Sequence, residues 1–365
     1  MSRPSPAVTG LRPVLVTGGA GFIGCNLADR LARDGHHVLV LDALARPGVE
    51  RNLDWLRRTH PGRISTVIAD LRDGEAVAAA ARKAQAVFHL AGQVAVTTSL
   101  DDPWTDFEVN VAGTLRLLEA LRRHNPAAPL IFASTNKVYG DLADIGLELA
   151  DDTYRPTDVA LRGGIGEDRR LDFHTPYGCS KGAADQYVLD HARSFGMRTA
   201  VLRMSCIYGP HQMGTEDQGW VAHFLIRALA DQPITIFGDG RQVRDILFVE
   251  DAVEAYVAAW QRIETVRAQA FNLGGGPANA VSLLQLIRHI GTLTGRPVAT
   301  EHQDWRAGDQ RYYVSDTGRA RRALGLPGPL PWRDGLARLV GWLRRNPVDI
   351  PVVPNPRQQR AEAIS

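Results

Sequence analysis

The chain of 365 residues has little cysteine: Cys25, Cys179 and Cys206 are all of it, in no spacing that suits a metal. An odd, sparse set argues against a disulfide framework and fits a reducing compartment, so a cytoplasmic location is expected. No apolar run reaches membrane-spanning length, and "MSRPSPAVTG" lacks the apolar centre of a signal peptide. Neither charge sign dominates. Lys and Arg number 42 against 40 Asp and Glu, and the basic residues are scattered, which argues against a nucleic-acid surface. What is present is an ordinary soluble composition in a chain long enough for one large α/β unit or two domains. Residues 1–10 and 350–365 are rich in Pro or polar residues and read as frayed tails.

The first half alternates short apolar runs with helical patterns. "PVLVTGG", "HHVLVLDAL", "ISTVIADLRD", "AQAVFHLAG" and "APLIFAST" read as strands, and "FIGCNLADRLARDG" as a helix closed by Gly35. "DFEVNVAGTLRLLEALRRHN" reads as one long helix with Leu115, Leu118 and Leu121 on its apolar face. Near-continuous apolar strands separated by helices imply a parallel sheet covered on both faces. After about residue 204 the rhythm loosens. "ITIFGDGRQVRDILFVEDAVEAYVAAW" reads as a hairpin-like stretch leading into a helix, "AFNLGGG" as a short strand, and "SLLQLIRHIGTLTG" and "WRDGLARLVGWLRR" as amphipathic helices. The expected fold is α/β, a doubly wound parallel sheet with a smaller C-terminal α/β substrate-binding region. The first unit covers 11–203, with the chain returning to it around 245–275, and the second is mainly 204–345. A ligand cleft belongs between them, at the carboxyl ends of the strands.

"VTGGAGFIG" places Gly19, Gly21 and Gly24 in the spacing G-x-G-x-x-G, after a strand and opening a helix. Glycines let a chain turn sharply and approach a pyrophosphate, whose charge faces backbone N–H groups at the helix start. Asp42 ends the second strand about 20 residues on, where a carboxylate binds a ribose 2′-hydroxyl. This points to a Rossmann-type dinucleotide site. The carboxylate would repel a 2′-phosphate, so NAD is favoured over NADP despite nearby Arg46. Asp70, after the third strand, can reach the adenine or serve as an ordinary turn acid.

"FHTPYGCSKGAADQY" sets Tyr177 and Lys181 four apart, on one face of a helix. A phenol with a pKa of about 10 is a poor base at neutral pH. The expectation is that the Lys181 ammonium favours the phenolate, so that Tyr177 takes a proton from a substrate hydroxyl as its carbon gives up hydride. Thr135, at the end of the fifth strand in "FASTNKVYGDL", is placed to hydrogen-bond the reacting oxygen.

With these residues in place, the chain resembles the extended short-chain dehydrogenase/reductases over residues 13–345, through "TGGAGFIG", "HLAG", "VNVAGTLRLLEA", "STNKVYG", "YGCSK" and "RQVRDILFVEDAV". The resemblance implies a catalytic set of Thr135, Tyr177 and Lys181. It implies cofactor contacts at Gly18, Gly21, Phe22, Ile23, Gly24, Asp42, Asp70, Leu71, Leu90, Ala91, Gly92, Asn110, Tyr177 and Lys181. Asn110 would support the active-site helix, or be a buried polar group of its own helix.

Sugar-nucleotide dehydratases of that family carry an Asp–Glu pair after the threonine; here stand Asn136 and Lys137, which leaves water elimination without a catalyst. The longer stretches "STNKVYGDL", "LDFHTPYGCSKGAADQYVLDHAR", "DQGWV", "GRQVRD" and "DQR" resemble the CDP-paratose 2-epimerase group. That resemblance implies oxidation of a CDP-hexose at C2, rotation of the 2-keto sugar, and reduction on the other face. Substrate contacts are expected from Asn136, Lys137, Ser205, Gln218, Phe237, Arg244 and Arg311, the two arginines as candidates to clamp the diphosphate. Phe237 reads equally as core. A 4-epimerase uses the same triad, and a non-catalytic NAD-binding scaffold is the reading outside enzymology. The family's dimer-forming helices suggest a homodimer or homotetramer; no metal, nucleic acid or membrane partner is expected.

Overall fold

The computed structural model describes residues 12–306 and 308–347; the expected tails, 1–10 and 350–365, lie outside the described residues. Seven strands form the central sheet: β1 (Val14–Thr17), β2 (Val38–Asp42), β3 (Ile64–Ile68), β4 (Ala86–His89), β5 (Leu130–Thr135), β6 (Thr199–Met204) and β7 (Gln269–Leu273). Their order is β7-β6-β5-β4-β1-β2-β3, and every pairing is parallel. Alternation along the strands divides the core. Val14 and Val16 face one apolar layer with Phe88, Ile131 and Leu202, while Leu15 faces the other with Val87, Leu130 and Phe132. Strand order reverses between β1 and β4, which opens a crevice at their carboxyl ends.

The chain leaves this sheet after β6 and returns for helix Val249–Gln261, packed in the first layer, and for β7 at the sheet edge. Between and after these segments a separate core joins Tyr208, Phe224, Ile236 and Phe248 to helices Leu283–Thr294 and Trp332–Arg345.

Two local expectations change. The stretch 234–248 is not a hairpin. Ile234–Phe237 pairs with Thr300–Gln303, while Val243–Phe248 pairs with Ala280–Ser282, Tyr312–Tyr313 and Cys206–Tyr208. Gly238 and Gly240, at φ +82° and +76°, turn the chain between two sheets instead of back along one. The long helix from residue 106 is also interrupted. Pro103–Phe107 runs into a π-turn, Glu108–Ala112, before the α-helix Gly113–His124. Leu117 rather than Leu115 joins Leu118 and Leu121 in the core. The π-turn carries Asn110, and such bulges gather at functional sites.

Candidate active site

The turn after β1 is built by close backbone approach. Gly18 has φ +69°, and a Cβ on it would lie 2.7 Å from the Ala91 nitrogen. A Cβ on Gly24 would overlap the Gly18 carbonyl, so the helix Phe22–Arg33 starts against the turn only because no side chain intervenes. Phe22 and Ile23 pack that helix on the core. Asp42 stands beside the turn: Oδ2 accepts from the Ala20 N–H at 2.9 Å and Oδ1 from the Leu44 N–H at 2.8 Å. Leu90 and Ala91 donate their N–H groups to the Thr17 carbonyl and Oγ1, at 3.1 and 3.3 Å. Gly92 lies where a Cβ would press on Asn110 Oδ1, with Lys181 Nζ also within 4 Å. A glycine-floored turn at a helix start, with a strand-end carboxylate beside it, fits the pyrophosphate and ribose of NAD. Asp70 is held by Arg72 through two bonds, 3.0 and 2.9 Å, and serves its own loop in this arrangement. Leu71 is buried against Gly113.

Thr135 ends β5 and caps the short helix Asn136–Tyr139, its Oγ1 accepting from the Lys137 N–H. Tyr177 and Lys181 lie in the first turns of helix Thr175–Phe195, both buried. Ser99 Oγ accepts the Tyr177 N–H at 3.1 Å and fixes the helix start. Lys181 Nζ donates to the Ala133 carbonyl at 2.6 Å and lies 4.3 Å from the Phe132 ring centroid. Asn110 ties the parts together: Oδ1 accepts the Gln93 N–H, and Nδ2 donates to the Gln93 carbonyl, Asp106 Oδ1 and Ser180 Oγ.

The acidities differ from the simple expectation. Burial pushes the Tyr177 phenol up to about 12; hydrogen bonding with Thr135 works against this and Asp106 adds to it. Burial pushes Lys181 down to about 8, opposed by Asp185 and Asp106. Desolvation is the largest influence on both groups, so Lys181 does not by itself hold Tyr177 as the phenolate.

The residues expected to contact substrate gather on 304–306 and 308–311. Asn136 Nδ2 donates to Gln310 Oε1 at 3.0 Å, and Gln310 Nε2 donates to the Gly140 carbonyl at 2.6 Å. Lys137 Nζ donates to the Gly308 carbonyl at 3.0 Å. Arg244 is buried and ion-paired to Asp309 at 2.6 Å. Phe237 carries the Arg306 guanidinium 3.7 Å above its ring, in the wall of an open groove of about 730 Å³. Arg311 is exposed, its guanidinium 5.3 Å from the Trp305 ring centroid, and its carbonyl accepts the N–H of Val243, the neighbour of Arg244.

Ser205 and Gln218, also expected as substrate contacts, have partners within the protein. Ser205 Oγ is bound to buried Asp245. Gln218 bonds Arg46, on the cofactor side. Arg306, Asp309 and Gln310 were not singled out by sequence reasoning; Asp309 and Gln310 had one signal, "DQR", and Arg306 had none. Among the described residues no cluster suits a metal ion and no helix is long and apolar enough to cross a membrane.

Comparison with known proteins agrees with this geometry. The model of the NAD dependent epimerase/dehydratase family matches residues 14–274. A CDP-paratose 2-epimerase of Salmonella typhi is 42% identical over 90% of this chain and 98% of its own length. A UDP-glucose 4-epimerase of Mycolicibacterium smegmatis is 34% identical over 90% and 98%. The crystal structure of UDP-glucuronic acid 4-epimerase from Bacillus cereus, in complex with UDP-glucuronic acid and NAD, superposes with a TM-score of 0.79 at 26% identity, covering 91% of this chain and 99% of that one.

Proposed function

The chain belongs to the NAD-dependent epimerase/dehydratase family, and on that premise we propose that it inverts C2 of a CDP-hexose, as in conversion of CDP-paratose to CDP-tyvelose, through a transient 2-keto sugar. The observation that carries the reading is the pair after Thr135. Asn136 and Lys137 are bonded to Gln310 and Gly308, and neither can act as the carboxylic acid or carboxylate that eliminating water calls for. Reversible oxidation of one carbinol is what the remaining groups support.

Bound on the glycine turn and Asp42, NAD supplies the hydride acceptor and donor. The protein's own part is proton transfer and orientation. Tyr177 removes the proton of the C2 hydroxyl while Thr135 holds the same oxygen, and Tyr177 returns a proton to that oxygen after the sugar presents its other face. Lys181 anchors the floor beside Gly92 and contributes positive charge. Arg244 and Arg306 are the cations on the diphosphate side, with Phe237 against the base.

A 4-epimerase would present C4 to the same Tyr177, and the 34% identical relative is named as one. Assaying CDP-paratose beside UDP-glucose separates the two: turnover of the CDP-sugar alone supports inversion at C2, and turnover of UDP-glucose alone overturns it.

The chain is expected to act in the cytoplasm in carbohydrate biosynthesis, and to pair with a second copy. Exposed Trp104, Phe107, Tyr187 and Phe195 on helices Pro103–Phe107 and Thr175–Phe195 support pairing. Sedimentation equilibrium giving the mass of one chain would overturn it.

A further inference from the structure

Away from the site described above, a cavity of about 440 Å³ opens where helix Leu283–Thr294 meets the first turn of helix Trp332–Arg345. It shares no lining residue with the groove beside Phe237. Gln285, Arg288, His289 and Thr292 stand at i, i+3, i+4 and i+7, so one polar face of the first helix lines the cavity. Leu286 and Ile290, on another face, hold that helix in the core. Trp332 and Arg333 close the cavity from the second helix.

The lining carries positive charge. Arg288 is ion-paired to Asp152. Arg333 is exposed, its guanidinium 4.3 Å from the Trp332 ring centroid, and among the described residues it has no ion-pair partner. It stands in the first turn of its helix, where backbone N–H groups already carry partial positive charge and a cation is disfavoured. His289 meets Trp332 edge-on, with ring centroids 5.1 Å apart, and its Nε2 is buried without a hydrogen-bond partner. An aliphatic side chain would fill that wall at lower cost, so the imidazole calls for a reason. Burial, and after it the Arg333 charge, hold His289 below the ordinary histidine value. The positive field of Arg333 thus reaches its neighbours uncompensated.

We propose that this cavity binds the phosphate monoester of a small polyhydroxylated molecule, a sugar phosphate by class. Arg333 and Arg288 supply guanidinium forks, which match phosphate oxygens. Two polar groups are left for the hydroxyls. Gln285 accepts the Ser282 N–H at 3.1 Å through Oε1, which leaves its amide NH₂ to donate. The Thr292 hydroxyl donates to the Arg288 carbonyl at 3.3 Å, which leaves its oxygen to accept. An aromatic base has nothing to stack on: Trp332 is 6% exposed, with Arg333 over its ring and His289 edge-on against it, which argues against a nucleotide. The volume falls within the range of small-molecule sites. The site is independent of the epimerase reading and stands whichever sugar carbon the enzyme inverts.

The test is binding calorimetry of the full chain with glucose 1-phosphate, inorganic phosphate and glucose, on the parent and on Arg333→Ala. Arg333 is exposed, and its helix is held by Leu336, Leu339 and Val340, so the variant keeps the fold. The ester is expected to bind the parent, and Arg333→Ala to weaken that binding about ten- to hundredfold, the worth of a hydrogen bond to a charged group. Because Arg333 lies outside the catalytic machinery, that loss places the ligand in this cavity and not in the sugar-nucleotide cleft, and turnover of the variant should match the parent. Inorganic phosphate and glucose should each bind more weakly than the ester. Absence of ester binding at millimolar concentration, or equal affinity in Arg333→Ala, overturns the proposal. Inorganic phosphate binding as tightly as the ester would mean an adventitious ion only and overturns it as well.

Discussion

Lys137 Nζ and the carbonyl oxygen of Gly308 meet at 3.0 Å although 171 positions separate them in the chain. The bond joins the end of β5, where Thr135 sits, to the segment that carries Asp309 and Gln310. Burial pushes Lys137 down to about 8, Arg244 adds to the push, and Asp309 opposes it. The unfolded chain therefore holds a proton on this lysine that the folded chain has lost between about pH 8 and the ordinary lysine value of 10.5. In that window the group's contribution to stability rises with pH, and below it the folded state bears the cost of a buried charge. Lys137→Met is expected to unfold at higher denaturant than the parent at pH 7. That advantage should shrink as pH rises from 8 to 10.5. Urea midpoints across the range check this; a constant gap contradicts it.

Arg203 and Asp185 form a buried pair, Nε to Oδ2 at 2.9 Å and Nη2 to Oδ1 at 3.0 Å, between β6 and the helix that carries Tyr177. Asp185 also accepts from Ser134 Oγ, next to Thr135, and Arg203 reaches the Tyr139 hydroxyl. Removing one partner leaves an uncompensated buried charge. Arg203→Met is expected to cost about 3–5 kcal/mol in chemical denaturation. The double change Arg203→Met with Asp185→Leu should recover much of that loss, and a double variant no more stable than the single one would count against the account.

Tyr177→Phe keeps the ring and the helix start fixed by Ser99 while removing the hydroxyl proposed to transfer the proton. NAD should remain bound and turnover should fall about 10²–10⁴-fold. Cofactor retention and rate are measured on the same preparation. A physiological activity untouched by the change would point to a non-catalytic NAD-binding scaffold.

Gly24→Ala places a methyl group into the Gly18 carbonyl, so the turn assigned to the pyrophosphate must open. The variant is expected to purify depleted of NAD. Gly74→Ala, at a position with open space around it, should retain NAD like the parent. Equal cofactor content in both variants would contradict the assignment of the turn.

Much of the cofactor half was legible because its signals are local. Gly18 to Gly24 and Asp42 carry their meaning in spacing along one strand–turn–helix unit, and Tyr177 and Lys181 in one helical turn. The substrate half was less legible because its contacts cross the chain. Asn136 meets Gln310 over 174 positions, and Arg244 meets Asp309 over 65. Arg311 drew attention in sequence, yet Arg306 is the arginine on Phe237; five positions along an irregular segment give no periodicity from which to choose. The π-turn that carries Asn110 looks like continuous helix in the sequence.

The central claim is tested most directly by proton NMR of the full chain with CDP-paratose in deuterated buffer. The account predicts signals of the C2 epimer with protium retained at C2, because hydride leaves and returns without exchanging with solvent. Stoichiometric deuterium at C2 would contradict it and favour enolisation, and inversion at C4 would contradict the assigned position.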